Sequence, residues 1–257
     1  MYIIDEKLER AEILKRYKEL IKIVSPTNEK DGKREIRKAF VVAMNAHSGV
    51  RRKNGEPYIY HPLEVAKIAS YDLGLGATAI VCALLHDVVE DTDYTLEDIK
   101  NIFGEKVAQI VDGLTKIEGV FENNNYSIQS ENFKKLFTAM GDDMRVILLK
   151  LCDRLHNMRT LDFMPKHKQL KIASETRQFY VPLAHRLGLY EVKSELEDLA
   201  TKHINSKEYF EIEALLNEFD NCVIDCEYLI LPEQYNLYKN KQSCEIIYLG
   251  FNHEKLP

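Results

Sequence analysis

The stretch Ala79-Ile-Val-Cys-Ala-Leu-Leu-His86-Asp87-Val-Val-Glu90-Asp91 decides how the rest of the chain is read. An apolar run from Ala79 to Leu85 meets an adjacent His and Asp with no turn residue between. Val88 and Val89 follow, then two more acids. Residues four apart share a helix face, so a single helix to Asp91 places His86 over Glu90 and Asp87 over Asp91. One imidazole and three carboxylates then leave a largely apolar helix within about a turn and a half. Such groups are costly to bury unless they are paired, hydrogen-bonded or bound to a metal. Taken alone, a His-Asp pair is more often a helix end whose acids enter solvent, so the choice falls to the other segments.

Upstream, residues 5–24 are amphipathic, with Leu8, Ile13, Leu14, Tyr17, Leu20 and Ile21 set between charges. Ser25-Pro26-Thr27-Asn28 breaks that helix, and a second runs from about Lys33 to His47. The loop Val50-Arg51-Arg52-Lys53-Asn54-Gly55-Glu56-Pro57 carries three successive cations. It is either a solvated loop or one that faces phosphate or nucleotide, since Arg stacks on bases and forks onto phosphate while Lys supplies a point charge. Pro62 suits a first helical position, which sets His61 at the start of a helix over 63–71.

Downstream, Thr95 and Asp98 have the spacing of a capping box, with helices over 96–103 and 105–114. Asn123-Asn124-Asn125 reads as a loop. The run Leu148-Leu-Lys-Leu-Cys-Asp153-Arg-Leu-His-Asn157-Met-Arg-Thr160 repeats the opening theme of an apolar helix interrupted by an acid. Asp153, Asn157 and Thr160 share one stripe, and a buried polar stripe needs partners, which a ligand or metal can provide. Residues 165–187 form a further helix with a kink or boundary at Pro182, and Glu191–Ile204 is charged and amphipathic. The last fifty residues change character: Val223, Ile224, Tyr228–Leu231 and Ile246–Leu249 are strand-prone and carry no recognisable chemistry. The main body therefore reads as an all-α bundle with a short C-terminal tail of mixed character. Its parts are an N-terminal helix over 1–32, a helical domain over 33–205 and the tail over 206–257.

Composition sets limits. Apolar residues make up 45% and charged residues 30%, a soluble globular balance, and 7 Pro and 11 Gly leave room for long helices. A net charge of −6 argues against a general nucleic-acid binder. The 5 Cys are odd in number and form no CxxC pair, which fits reduced thiols in the cytoplasm. The N-terminus is charged too early for a signal peptide, and no apolar run approaches a membrane span.

His61, His86, Asp87 and Asp153 thus stand out as a mixed N/O donor set, suited to a harder first-row ion such as Mn²⁺. Periodicity alone does not bring their helices together. The order His61, His86-Asp87, Asp153 resembles that of HD-domain phosphohydrolases. The surrounding text resembles, more specifically, the hydrolase domain of the RelA/SpoT homologue family. The segments that carry this are His47-Ser-Gly-Val-Arg-Arg-Lys-Asn-Gly-Glu-Pro-Tyr-Ile-Tyr-His61-Pro62, Ala83-Leu-Leu-His-Asp-Val-Val-Glu-Asp-Thr92, Val111-Asp-Gly-Leu-Thr-Lys116 and Leu149-Lys-Leu-Cys-Asp-Arg-Leu-His-Asn-Met-Arg-Thr-Leu161. Tyr180–Gly188 and Glu195–Ala200 resemble the segment that joins hydrolase to synthetase in two-activity members. Val50, Cys152 and Ser194 depart from the family pattern, none of them at a metal or acid position.

The resemblance implies an HD-domain fold and Mn²⁺-dependent removal of the 3′-pyrophosphate from the alarmones ppGpp and pppGpp. It implies metal on His61, His86, Asp87 and Asp153. Glu90 and Asp91 would orient and deprotonate water, Arg52 would stack on guanine, Lys53 and Asn54 would contact the nucleotide, and Asn157 and Thr160 would hold the ribose or 3′ side. The fifty residues beyond the joining segment are too few for the synthetase domain and hold none of its motifs, so a hydrolase-only protein is expected. Two rivals stand beside this: a broader HD nucleotide phosphatase acting, for example, on the 2′-phosphate of NADPH, and a catalytically silent regulatory module. Oligomeric state is left open.

Overall fold

The structure is a computed structural model that describes residues 6–24, 30–122, 143–225, 238–240 and 243–245. Its main body is all-α, and the chain divides into two compact units, Met1–Ile204 and Asn205–Pro257. In the first unit the helices are α1 (Glu6–Val24), α2 (Lys30–Ala46), α3 (Tyr60–Tyr71), α4 (Ala77–Leu85), α5 (Val88–Asp91) and α6 (Leu96–Phe103). They continue as α7 (Glu105–Glu122), α8 (Arg145–Arg159), α9 (Lys166–Glu175), α10 (Val181–Arg186) and α11 (Tyr190–Ile204).

Helix α4 is the hub. It is apolar all round, which only a helix enclosed on every side tolerates, and every residue from Ala79 to Leu85 is buried. Helices α2, α3, α7 and α8 pack around it. Each buried Leu or Ile side chain, Ile80, Leu84 and Leu85 among them, stabilises the fold by about 1.5–3 kcal/mol. Where α7 passes α8, Gly113 permits the approach: a Cβ there would lie 3.0 Å from Val146 Cγ2. The capping box that opens α6 forms as its spacing predicts. Thr95 Oγ1 accepts from Asp98 N–H at 3.2 Å, and Asp98 Oδ2 accepts from Thr95 N–H at 2.8 Å.

The continuous helix expected through Asp91 does not occur. Helix α4 stops at Leu85, His86 and Asp87 make a turn, and α5 restarts at Val88. The His86 Nδ1 atom lies 2.8 Å from Ala83 O, a carbonyl that the helix ladder would otherwise use, and such a side-chain bond competes with helix continuation. Adjacent residues of an ideal helix point about 100° apart. The turn removes that constraint and lets His86 and Asp87 face one centre.

Pro182 sits where a boundary was expected, and the boundary is a π turn, Thr176–Tyr180. The Val181 N–H reaches back five residues to Thr176 O, so the extra residue absorbs the proline that could not donate. It also places Tyr180, 1% exposed, beneath the Arg154 guanidinium.

In the second unit α12 (Ser206–Asp225) contains Val223 and Ile224, which corrects the strand-prone reading of those two. The charge-rich amphipathic run before them carries the helix forward, and extending an existing helix is cheaper than starting another element. Strand β1 (Tyr238–Asn240) pairs antiparallel with β2 (Ser243–Glu245), Tyr238 opposite Glu245. Residues 123–125, 228–231 and 246–249 lie outside the described residues. Among the described residues no helix is long and apolar enough to cross a membrane.

Candidate metal centre

Helix α3 packs against both α4 and α8, and that contact brings the separate sequence signals together. His61 lies in the first turn of α3, His86 and Asp87 in the turn after α4, and Asp153 in the middle of α8. His61 Nε2 is 3.2 Å from His86 Nε2, 3.2 Å from Asp153 Oδ1 and 3.5 Å from Asp87 Oδ2. His86 Nε2 is 3.1 Å from Asp87 Oδ2 and 3.8 Å from Asp153 Oδ1. Donors bound at about 2.1 Å to one first-row ion stand about 3.0 Å apart at right angles and about 3.4 Å apart in a tetrahedron. Three of the five spacings, 3.1, 3.2 and 3.2 Å, fall inside that range; the 3.5 Å pair lies just above it and the 3.8 Å His86–Asp153 pair is wider. The His61, His86 and Asp153 donors all lie within 4.8 Å of one another, and Asp87 joins from the His86 side.

The electrostatics agree with this arrangement. Burial pushes His61 below the usual imidazole range against the pull of Asp153. Burial acts the same way on His86, but the Asp87 and Asp153 carboxylates and the Ala83 carbonyl outweigh it and push the group up to about 9. Burial would raise both carboxyls, yet the surrounding imidazoles, with Lys150 for Asp153, hold each well below the carboxylate range. Anionic oxygens and imidazole nitrogens converging in a buried site suit a divalent cation. With Nδ1–H donating to Ala83 O, His86 presents Nε2 to the centre, where a bound cation would take the place of the proton that the carboxylates hold there.

A second ring of groups holds these four. The Tyr58 hydroxyl donates to Asp87 Oδ2 at 2.6 Å. Burial and the Asp87 and Asp91 carboxylates push that hydroxyl far up, so it remains a donor. Asn157 Nδ2 donates to Asp153 Oδ1 at 2.7 Å, and Lys150 Nζ lies 3.3 Å from Asp153 Oδ2. His156 Nδ1 is 2.7 Å from His61 Nδ1. Burial, then the His61 and Arg52 charges, push His156 down to about 2. His47 is buried against Tyr58 with ring centroids 4.5 Å apart, and neither of its nitrogens has a hydrogen-bond partner among the described residues.

A cavity of about 860 Å³ opens from Asp153 along α8. Its wall carries Arg51, Arg52 and Lys53 from the loop, Lys150 and Arg154 from α8, and Lys168 and Lys171 from α9, against the carboxylates of Asp153 and Glu175. A chain of net charge −6 thus has a strongly basic pocket, the field that draws a polyanionic ligand. Arg52 Nη2 donates to Asn157 Oδ1 at 2.8 Å. Asn54 and Thr160 line the same cavity. Asn54 braces the loop through Glu56 (2.6 Å), and Thr160 Oγ1 donates to His156 O at 3.1 Å. Glu90 and Asp91 lie exposed on α5, the helix that follows the His86-Asp87 turn.

Tyr58, Lys150 and His156 contact the candidate metal ligands but were not singled out in the sequence. Lys150 and His156 lie three residues either side of Asp153, so they share its helix stripe, and that spacing is a usable signal. Tyr58 lies in a loop and has none.

An all-helical domain with two histidines and two aspartates converging from α3, α8 and the turn after α4 defines the class, and comparison with known proteins agrees. Residues 39–190 match the sequence family described as HD domain, and the chain belongs to that family. Its homologues are RelA/SpoT-family proteins. It is 48% identical over 186 residues to a protein of Myxococcus xanthus named GTP pyrophosphokinase, covering 71% of this chain and 24% of that one. It is 49% identical over 185 residues to a protein of Aquifex aeolicus named guanosine-3′,5′-bis(diphosphate) 3′-pyrophosphohydrolase, covering 72% and 26%. The chain therefore spans about a quarter of the length of these relatives. A solved structure described as a metazoan ortholog of SpoT that hydrolyzes ppGpp aligns with TM-score 0.49 and 24% identity, over 67% of this chain and 95% of that one.

Proposed function

We propose that the chain is a Mn²⁺-dependent 3′-pyrophosphohydrolase of guanosine alarmones, converting ppGpp and pppGpp to GDP and GTP with release of pyrophosphate. The observation that carries this reading is the cluster of His61, His86, Asp87 and Asp153, of which Asp153 lines a basic cavity of nucleotide size. Relatives bear both hydrolase and pyrophosphokinase names. Hydrolysis is favoured because the matched region is the HD domain, and because Glu90 and Asp91 follow the His86-Asp87 pair on the next helix, exposed to solvent.

His61, His86, Asp87 and Asp153 would hold the ion, which when bound supplies Lewis acidity and lowers the pKa of water. Glu90 and Asp91 orient the attacking water and accept its proton. The water oxygen bonds to the phosphorus carried on the ribose 3′ oxygen, the bond between them breaks, and the 3′ oxygen takes up a proton. Pyrophosphate leaves with the new oxygen. Arg52 is gripped in its own plane by His156 and Asn157, which leaves its faces for stacking on a base. Lys53 and Asn54 contact the nucleotide, and Asn157 and Thr160 the ribose or 3′ side. Lys150 and Arg154 add charge to the wall against the phosphates.

The test is product analysis with Mn²⁺ on ppGpp, pppGpp, GDP and NADPH. GDP and pyrophosphate are expected from ppGpp, GDP itself should stay intact, and chelation should stop turnover. Orthophosphate from GDP, or NADH from NADPH at higher efficiency, would replace the alarmone reading with that of a broader phosphatase.

A further inference from the structure

We propose that His156 is a positioning residue that couples Arg52, on the nucleotide side of the cavity, to the metal ligand His61, so that metal binding and nucleotide binding reinforce each other through one imidazole. This rests on the metal-centre reading above and adds a linkage to it.

The argument is one of donors and acceptors. A guanidinium has only donors, and Arg52 Nη1 lies 3.1 Å from His156 Nδ1. That nitrogen must therefore accept, and the His156 ring proton resides on Nε2. The same Nδ1 faces His61 Nδ1 at 2.7 Å, and two ring nitrogens at that distance need one proton between them. His61 Nδ1 supplies it, so the single lone pair of His156 Nδ1 is shared between His61 at 2.7 Å and Arg52 at 3.1 Å. The lone pair of His61 is then on Nε2, the atom that faces His86, Asp87 and Asp153. Arg52 thus sets the tautomer of a metal ligand through His156. Without Arg52, His156 is free to carry its proton on Nδ1 and donate to His61, which turns the His61 proton toward the metal. A second arm runs in parallel: Arg52 Nη2 donates to the Asn157 oxygen, which fixes that amide so that its Nδ2 donates to Asp153 Oδ1.

The loop is built to hold Arg52 in this fork. Arg52 N–H donates to Glu56 O and Gly55 N–H to Arg52 O, each at 2.9 Å. The turn is made at Gly55, whose φ of +85° suits glycine. A coupling of this kind is reciprocal: metal that orders His61 orders His156 and the Arg52 plane, and a base stacked on Arg52 holds the ligand tautomer.

The experiment uses the whole chain, stripped by chelation and titrated with Mn²⁺ alone, free Mn²⁺ being read by electron paramagnetic resonance. His156→Phe should weaken Mn²⁺ binding about 10- to 100-fold, the usual range for loss of a partner behind a metal ligand. His156→Asn, whose Oδ1 stands in for Nδ1, should recover most of it. Arg52→Ala, in a surface loop, should weaken Mn²⁺ binding by about tenfold, and combining it with His156→Phe should add less than twofold. GDP, the expected product, serves as the nucleotide probe: Mn²⁺ should tighten its binding to the parent and not to His156→Phe. If Arg52→Ala binds Mn²⁺ as the parent does, or His156→Asn is as weak as His156→Phe, the coupling is wrong while the metal centre stands. If the parent itself takes up no Mn²⁺, the metal-centre reading falls and the coupling falls with it.

Discussion

Replacing Tyr58 with Phe tests whether the second ring of groups governs the metal set. The Tyr58 ring packs on His47 with centroids 4.5 Å apart, and phenylalanine keeps that packing. What is lost is one hydrogen bond, from the hydroxyl to Asp87 Oδ2 at 2.6 Å. A hydrogen bond to a charged group contributes about 1.5–3 kcal/mol, and roughly 1.4 kcal/mol is a tenfold change in affinity. The Asp87 side chain is 15% exposed, so water replaces part of the loss and the lower end of the range applies. A carboxylate oxygen has lone pairs for both the hydroxyl and a metal, so the bond orients Asp87 without competing for it. Mn²⁺ affinity of Tyr58→Phe should therefore fall about tenfold, near the low end for such partners, with little change in melting temperature. Calorimetric titration of chelator-stripped protein, beside a thermal melt, measures both. Binding within twofold of the parent, or tighter, refutes the reasoning that Tyr58 holds Asp87 for the metal.

Asp153→Ala should lose bound metal while staying folded, and metal analysis that matches the parent would overturn its assignment. Glu90→Gln with Asp91→Asn should keep Mn²⁺ yet lose turnover by more than about a hundredfold, in the range of general-base loss; near-normal turnover removes their proposed role. Leu84→Ala, at a site 1% exposed, should cost about 3 kcal/mol and lower the melting temperature by roughly 6–12 °C, checked by calorimetry. Burial pushes the Cys82 thiol up to about 12 and raises Cys152 as well, so mass mapping after iodoacetamide at pH 8 should find neither labelled until the protein is denatured.

The sequence by itself determined the helical class and the identity of the polar residues that apolar helices carry. Helix periodicity and capping are local properties: Thr95 and Asp98 cap α6 as their spacing predicts, and α4 is apolar all round because it is enclosed. The His86-Asp87 break and the π turn before Pro182 depended on more. One needs a ring bond to Ala83 O; in the other the backbone adds a residue before the proline, and Tyr180 is set under Arg154 as a result. Strand propensity at Val223 and Ile224 was outweighed by the helix already running into them. Tertiary structure alone decided the convergence. His61 and Asp153 are far apart in the chain and meet because α3 packs on α8. The groups that hold the set, Tyr58 on Asp87 and His156 between Arg52 and His61, have no periodic signature, because what matters there is which donor faces which lone pair. That is a property of side chains brought together across helices, and it exists only once the helices have packed.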